Sequence, residues 1–178
     1  IRGKDGVNRV KVGVRLDMVP DHVARRAKVF LPRVYELSKD TGIDPALVLA
    51  IIHTESFFNP MARSSVPAFG LMQIVPNAAG KEVFKKLFNV EKIPTPQYLY
   101  NPDNNILIGV NYLDLLFKTY FQDIINPSKQ LDLVICAYNW GPSAVRKQIA
   151  SRVNFSNMDE NEVREYLLAR APQETKQY

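Results

Sequence analysis

Asp44-Pro45-Ala46-Leu47-Val48-Leu49-Ala50-Ile51-Ile52-His53-Thr54-Glu55-Ser56 reads as one helix with its start signal attached. Asp44 supplies an N-cap acceptor, and Pro45 suits the first helical position, where no N–H donor is needed. The body, Ala46 to about Ser56, is apolar almost all round, which predicts a central, buried helix. Val48, Ile51, Ile52 and Glu55 fall at spacings of three and four, on one stripe. A carboxylate therefore continues the core-facing side. Burying a charge without a partner is costly, so such an acid needs a reason. Two readings stand open: a catalytic acid, or a structural carboxylate held by backbone amides or a hidden Arg.

Working outward, Asp21 can cap a helix running to about Lys39, with Val23, Ala27, Phe30, Leu31, Val34 and Leu37 inside and Gly42 as its stop. Residues 57–69 read as a loop with Pro60 and Pro67 as breakers. A helix is predicted from Pro76 to Leu87, irregular chain over 88–101, and a long amphipathic helix from about Pro102 to Tyr120. Others follow over Ser128–Asn139, from Pro142, and over about Asp159–Arg170, with a last one opening at Pro172. Ahead of Asp21, Val10, Val12, Val14 and Leu16 alternate with Lys11, Gly13 and Arg15, the period of a strand. An isolated strand is unstable, so it is expected to pack on the helical body or to pair with an upstream domain. The fold class expected is thus mainly α: residues 21–178 as one helical domain, and residues 1–20 as a short β-type lead-in.

The chain of 178 residues is 46% hydrophobic, which excludes a disordered polymer and allows one real core. No apolar run approaches the roughly 20 residues of a membrane span. Opening at Ile1 without an initiator Met predicts a processed or trimmed fragment, with any targeting or anchor segment upstream. The net charge of +5 suits an anionic polymer: nucleic acid, an acidic membrane or an acidic cell wall. No nucleic-acid motif is present, and the basic clusters read as solvated surface. Cys136, the single cysteine, sits among Val134, Ile135 and Ala137 and reads as a buried thiol. No zinc spacing or calcium loop occurs, so neither metal nor cofactor is expected.

A general acid must keep its proton near neutral pH. Glu55 ends a helix, where the macrodipole disfavours negative charge. The stripe below it is apolar, Phe57, Phe58 and Phe69 are near in sequence, and no Lys or Arg lies within seven residues on either side. Glycosidases normally use two carboxylates. Asp44, Asp103 and Asp159 look like caps; Glu36, Asp40, Glu82 and Glu91 look like surface. A lone buried acid points to a reaction that needs no second carboxylate from the protein; one such reaction uses the substrate's own hydroxyl as the nucleophile.

Four blocks then carry a resemblance: Glu55-Ser56 through Gly70-Leu71-Met72-Gln73-Ile74; Asn105, Gly109, Tyr112 and Leu113; Ala137-Tyr138-Asn139 with Gly141; and Glu174-Thr175-Lys176-Gln177-Tyr178. In order and spacing the chain resembles the lytic transglycosylases with a soluble-transglycosylase, goose-lysozyme-like fold. The likeness extends over Asp21-His22 through Leu47–Ile51, over Ala79–Phe84, over Asn126-Pro127 and to the strand-like lead-in, which would be the tail of an upstream domain, toward a membrane-bound branch of that family.

The resemblance implies a lysozyme-like domain that cleaves the β-1,4 bond between N-acetylmuramic acid and N-acetylglucosamine in peptidoglycan without water. Glu55 would be acid, then base. Ser64, Met72, Gln73, Tyr112, Tyr138 and Asn139 would line or support the sugar groove, and the Tyr178 hydroxyl would hold the Glu55 carboxyl. It also implies a bacterial periplasmic setting, with the full-length protein anchored in the outer membrane and other cell-wall enzymes as partners. Plainer roles stand beside these: Met72 as core, Tyr112 and Tyr138 as core aromatics, Ser56 as a tie at its helix end, Gly70 as a backbone need, and His53 and Thr54 as structural or exposed. Ser65-Val66-Pro67 and Trp140 depart from the family's usual residues and bear on glycan-length or stem-peptide preference. The alternatives are a goose-type lysozyme that hydrolyses with water, and a non-catalytic wall-binding module.

Overall fold

The computed structural model describes residues 22–151 and 155–172. The strand expected at Val10–Leu16, the Asp21 cap, the helix from Pro172 and Tyr178 lie outside the described residues. Within them the chain is helical: α1 (His22–Thr41), α2 (Pro45–Ser56), α3 (Lys81–Phe88), α4 (Pro96–Tyr100), α5 (Pro102–Leu115), α6 (Pro127–Trp140), α7 (Pro142–Ser151) and α8 (Glu160–Arg170). Wider, π-type turns at Pro76–Gly80 and Leu116–Tyr120 lead into α3 and out of α5.

Local chemistry sets most boundaries. Gly42, at φ +77°, closes α1 by donating to the Ser38 carbonyl at 2.7 Å. Asp44 then accepts from the Ala46 amide at 2.8 Å, and Pro45 opens α2. Asn126 caps α6, and Asp159 with Glu162 forms a reciprocal capping box on α8.

Two expectations need correction. Residues 88–101 are not wholly irregular: Thr95 accepts from the Tyr98 amide and Pro96 starts the single turn α4. The stretch from Pro102 to Tyr120 is not one amphipathic helix. It loosens to a π-type turn after Leu115, and nearly every residue of α5 from Asn105 to Asp114 is buried. Its polar letters, read as a wet face, are internally satisfied. Asn111 donates to the Leu107 carbonyl, and Asp114 pairs with Lys86 and Lys118 at 2.5 Å each. A cap is also reassigned, since Asn101, not Asp103, caps α5. α5 is therefore the axis of the core, packed against α1, α3 and α4.

Candidate active site

Helix α2 delivers Glu55. Val48, Ile51 and Ile52 are fully buried along the predicted stripe, and Glu55, one turn further, is half-buried where the stripe opens to a cleft. The helix cannot continue, because Phe57 and Phe58 take left-handed φ values of 50° and 59°. That reversal carries the aromatic rings away from the acid. Phe58 stacks on Phe30 and Phe69 meets Tyr100 edge-on, while Phe57 points outward beside His53. None of the three rings lines the cleft, so the apolar shell expected from Phe57, Phe58 and Phe69 is instead core packing and surface.

The next segment folds twice on itself. Arg63 pairs with Phe69 and Phe69 with Ile74, each in single antiparallel bridges. The first reversal, residues 62–70, is closed by Gly70 N–H to the Ala62 carbonyl at 2.9 Å and Ser64 N–H to the Ala68 carbonyl at 3.2 Å. Within it the Ser64 hydroxyl donates to the Val66 carbonyl. The second, residues 69–74, places Gly70 at φ +78° and Gln73 at φ +45°, with Gln73 Nε2 donating to the Gly70 carbonyl at 2.9 Å. A Cβ on Gly70 would meet Asn105 Nδ2 at 2.2 Å and the Leu99 carbonyl at 2.4 Å, so glycine is required there.

Glu55, Ser64, Gln73, Tyr138 and Asn139 share one cavity of about 450 Å³ with Thr54, Ser65, Val66, Ala68 and Val75. Five of the expected site residues thus come together from α2, both reversals and the end of α6. Met72 and Tyr112 stand behind the wall. Met72 is fully buried, and a Cβ on Gly109 would meet its Sδ at 2.2 Å, so the two pack side by side. Tyr112 is buried with its ring 5.6 Å from that of Tyr138. Burial, with Glu82 and Tyr120 adding to it, holds the Tyr112 phenol protonated well above its usual range. The Tyr138 hydroxyl donates to the Met72 carbonyl at 2.8 Å.

Thr54, Ala68 and Val75 were not singled out from sequence as cleft residues, whereas Ser65 and Val66, read as a departure bearing on substrate preference, do line the cavity. Thr54 donates to the Ala50 carbonyl, one turn back, and its position beside Glu55 on the helix end was the available signal. Val66 is 65% exposed on the cavity rim. Trp140 packs against the core and does not line the cavity. Ser56 is buried, its hydroxyl 3.0 Å from the Ile52 carbonyl and 2.8 Å from that of Leu71, so it ties the end of α2 to the second reversal.

Buried acids exist that the sequence did not reveal. Asp114 and Asp132 have side chains only 11% and 14% exposed, but Asp114 is paired with Lys86 and Lys118, and Asp132 with Arg164. Neither lines the cleft, where Glu55 is the one carboxylate among the described residues. No group of three or more His, Cys, Asp or Glu stands together among them as a metal site.

Comparison with known proteins places the chain in a family. The transglycosylase SLT domain model matches residues 34–161. Membrane-bound lytic murein transglycosylase C of Klebsiella pneumoniae (strain 342) is 38% identical over 151 residues, 85% of this chain and 42% of that protein. Its counterpart in Histophilus somni (strain 2336) is 46% identical over 132 residues, 74% of this chain and 36% of that protein. The chain therefore spans about two fifths of the length of these curated relatives. An inactive mutant of lytic transglycosylase Slt from Pseudomonas aeruginosa superposes with a TM-score of 0.64 at 28% identity, covering 83% of this chain and 21% of that one. The 70 kDa soluble lytic transglycosylase of Escherichia coli gives 0.57 at 29% identity, covering 83% of this chain and 24% of that one. With its helical architecture, its cleft and a family match over most of its length, the chain belongs to the transglycosylase SLT domain family.

Proposed function

We propose that this domain is a lytic murein transglycosylase, cleaving the β-1,4 bond between N-acetylmuramic acid and N-acetylglucosamine in peptidoglycan without water. The observation that carries the reading is a cleft whose one described carboxylate, Glu55, is flanked by Ser64, Gln73, Tyr138 and Asn139 in a chain of this family. Glu55 begins protonated and gives its proton to the glycosidic oxygen as the C1–O bond breaks. The carboxylate left behind then takes the proton of the muramoyl 6-hydroxyl. That oxygen bonds to C1, closing a 1,6-anhydro ring. Protons balance: the one lost from Glu55 leaves on the new hydroxyl of N-acetylglucosamine, and the one from O6 restores the acid.

A single acid in the cleft among the described residues supports this over hydrolysis, for which glycosidases normally use a second carboxylate. Ser64, Gln73 and Asn139 offer polar side chains for ring hydroxyls and the N-acetyl group, and the Tyr138 ring offers an apolar face. Met72 and Tyr112 support the wall from behind. For Tyr178, outside the described residues, the resemblance implies a role in holding the Glu55 carboxyl. The full-length protein is proposed to work in the bacterial periplasm, anchored to the outer membrane from upstream of this chain; no described helix is long and apolar enough to cross a membrane.

The test is mass spectrometry of purified peptidoglycan digested by the protein and by Glu55→Gln. Muropeptides one water lighter than those of a lysozyme digest, absent with the variant, are expected. Products of hydrolytic mass would overturn the transglycosylase reading in favour of a lysozyme. Binding to the wall without fragments would favour a wall-binding module.

A further inference from the structure

The four residues Phe69–Met72 join Ala68 to Gln73, both of which line the cleft, and side chains from three helices hold their backbone. Ser56 of α2 reaches the Leu71 carbonyl, and Tyr138 of α6 the Met72 carbonyl. Asn105 of α5 does the most. Its Nδ2 donates to the carbonyls of Phe69 and Leu99, and its Oδ1 accepts from the Met72 amide, all at 2.8 Å. Asn105 is fully buried. Two carbonyls and one N–H converge on it, a pattern that only a carboxamide in this orientation satisfies. Gly70 lies directly against the same amide, too close for any Cβ. The segment next places Gln73, at φ +45°, on the cleft wall.

We propose that Asn105 is a positioning residue for the cleft: by clamping Phe69 and Met72 it sets where Gln73, and through Tyr138 the Asn139 end of α6, stand relative to Glu55. Asn105 lines no part of the cavity. Its action passes entirely through the backbone of the second reversal. The inference rests on the transglycosylase reading for its effect on rate, but the clamp itself is a property of the fold.

Asn105→Ala removes all three bonds, taking that partner from the Met72 N–H and the Leu99 carbonyl while the Phe69 carbonyl keeps the Ile74 N–H, and Asn105→Asp turns a carboxylate toward two carbonyls. Both destabilise, so the experiment pairs them with Val163→Ala. Val163 is buried on α8, whose side chains meet the first half of α6 through Arg164–Asp132 and Asn126–Glu160, away from the cleft. All three are assayed on soluble peptidoglycan at a temperature where circular dichroism shows each folded. For Asn105→Ala the expected loss in kcat is on the order of a hundredfold, the scale of a roughly 1 Å displacement of positioned groups. KM should move far less, and Val163→Ala should keep its kcat. Asn105→Asp should recover part of the rate toward acid pH, where a protonated carboxyl can again donate once.

Amide hydrogen exchange gives a readout free of activity. Asn105→Ala should speed exchange at Met72 and Ile74 while Ile51 and Ile52 in α2 stay protected. A wild-type kcat in folded Asn105→Ala, or an equal loss in Val163→Ala, would overturn the positioning role. Unchanged exchange over residues 69–74 would overturn the clamp even if the wild-type protein cleaved nothing, the outcome that would sink the functional reading instead.

Discussion

The hydroxyl of Tyr138 donates to the carbonyl oxygen of Met72 across 2.8 Å, joining positions 66 apart in the chain. This bond locks the last turns of α6 onto the back of the cleft. Tyr138→Phe keeps the ring and its contact with Tyr112 but leaves the carbonyl without that donor. The expected cost is about 1 kcal/mol of stability, read by urea unfolding, with wall cleavage falling further than the folded fraction. Cleavage that simply tracks the folded fraction would make the bond a matter of stability alone.

Gly109 and Met72 are matched in size. A Cβ at position 109 would meet the Met72 Sδ at 2.2 Å and Cε at 2.7 Å inside a fully buried site. Gly109→Ala should therefore destabilise by about 1–3 kcal/mol through overpacking. Trimming the partner, in Gly109→Ala with Met72→Ala, should cost less than the two single changes added together. Strict additivity in chemical denaturation would refute the contact as the cause.

Asp114 gives a pH signature. Burial pushes its carboxyl pKa up, but hydrogen bonds and charge from Lys118 and Lys86 outweigh that and hold it below the ordinary 3.8. A depressed carboxylate contributes stability that is present above the unfolded pKa and is lost as pH falls through the folded one. The stability gap between wild type and Asp114→Asn should thus be full at neutral pH and shrink as pH drops below about 3.8. A gap constant from pH 7 to pH 3 would assign the loss to packing.

Cys136 should be chemically silent in the native state. Burial pushes its thiol up to about 11, with Asp132 adding to the effect, and the thiolate is the reactive form. Iodoacetamide at pH 8 should leave the folded protein unmodified and label it at the rate of unfolding in urea. Rapid native labelling would contradict the buried environment.

Helix α2 was legible because its signals are local: Gly42 stops α1, Asp44-Pro45 starts the next helix, and the stripe counts in threes and fours. The single turn after Thr95-Pro96 carried the same kind of signal in a segment too short for periodicity. α5 was misread because Asn105, Asn111 and Asp114 are polar letters whose partners lie elsewhere: a loop 33 to 36 residues upstream, a carbonyl one turn back, and two lysines. Periodicity reports polarity, not whether that polarity is satisfied inside. At the cleft, Glu55, Ser64, Gln73, Tyr138 and Asn139 were named through their motifs. Ala68 and Val75 reach the cleft through how residues 62–74 fold back, which no spacing encodes. The reversal at Phe57-Phe58 and the fold of residues 62–74 sent Phe58 and Phe69 into the core although both are near the acid in sequence.

The reversal at residues 62–70 is pinched at its base by the Arg63–Phe69 bridge and the Ser64–Ala68 bond, while Val66 stands outside at its tip. Beyond the pinch, Ser65 and Val66 line the cavity that holds Glu55. Residues 65–67 therefore form an exchangeable cassette: their length and chemistry can vary, and the cavity wall with them, while the bonds at the base of the reversal stay in place.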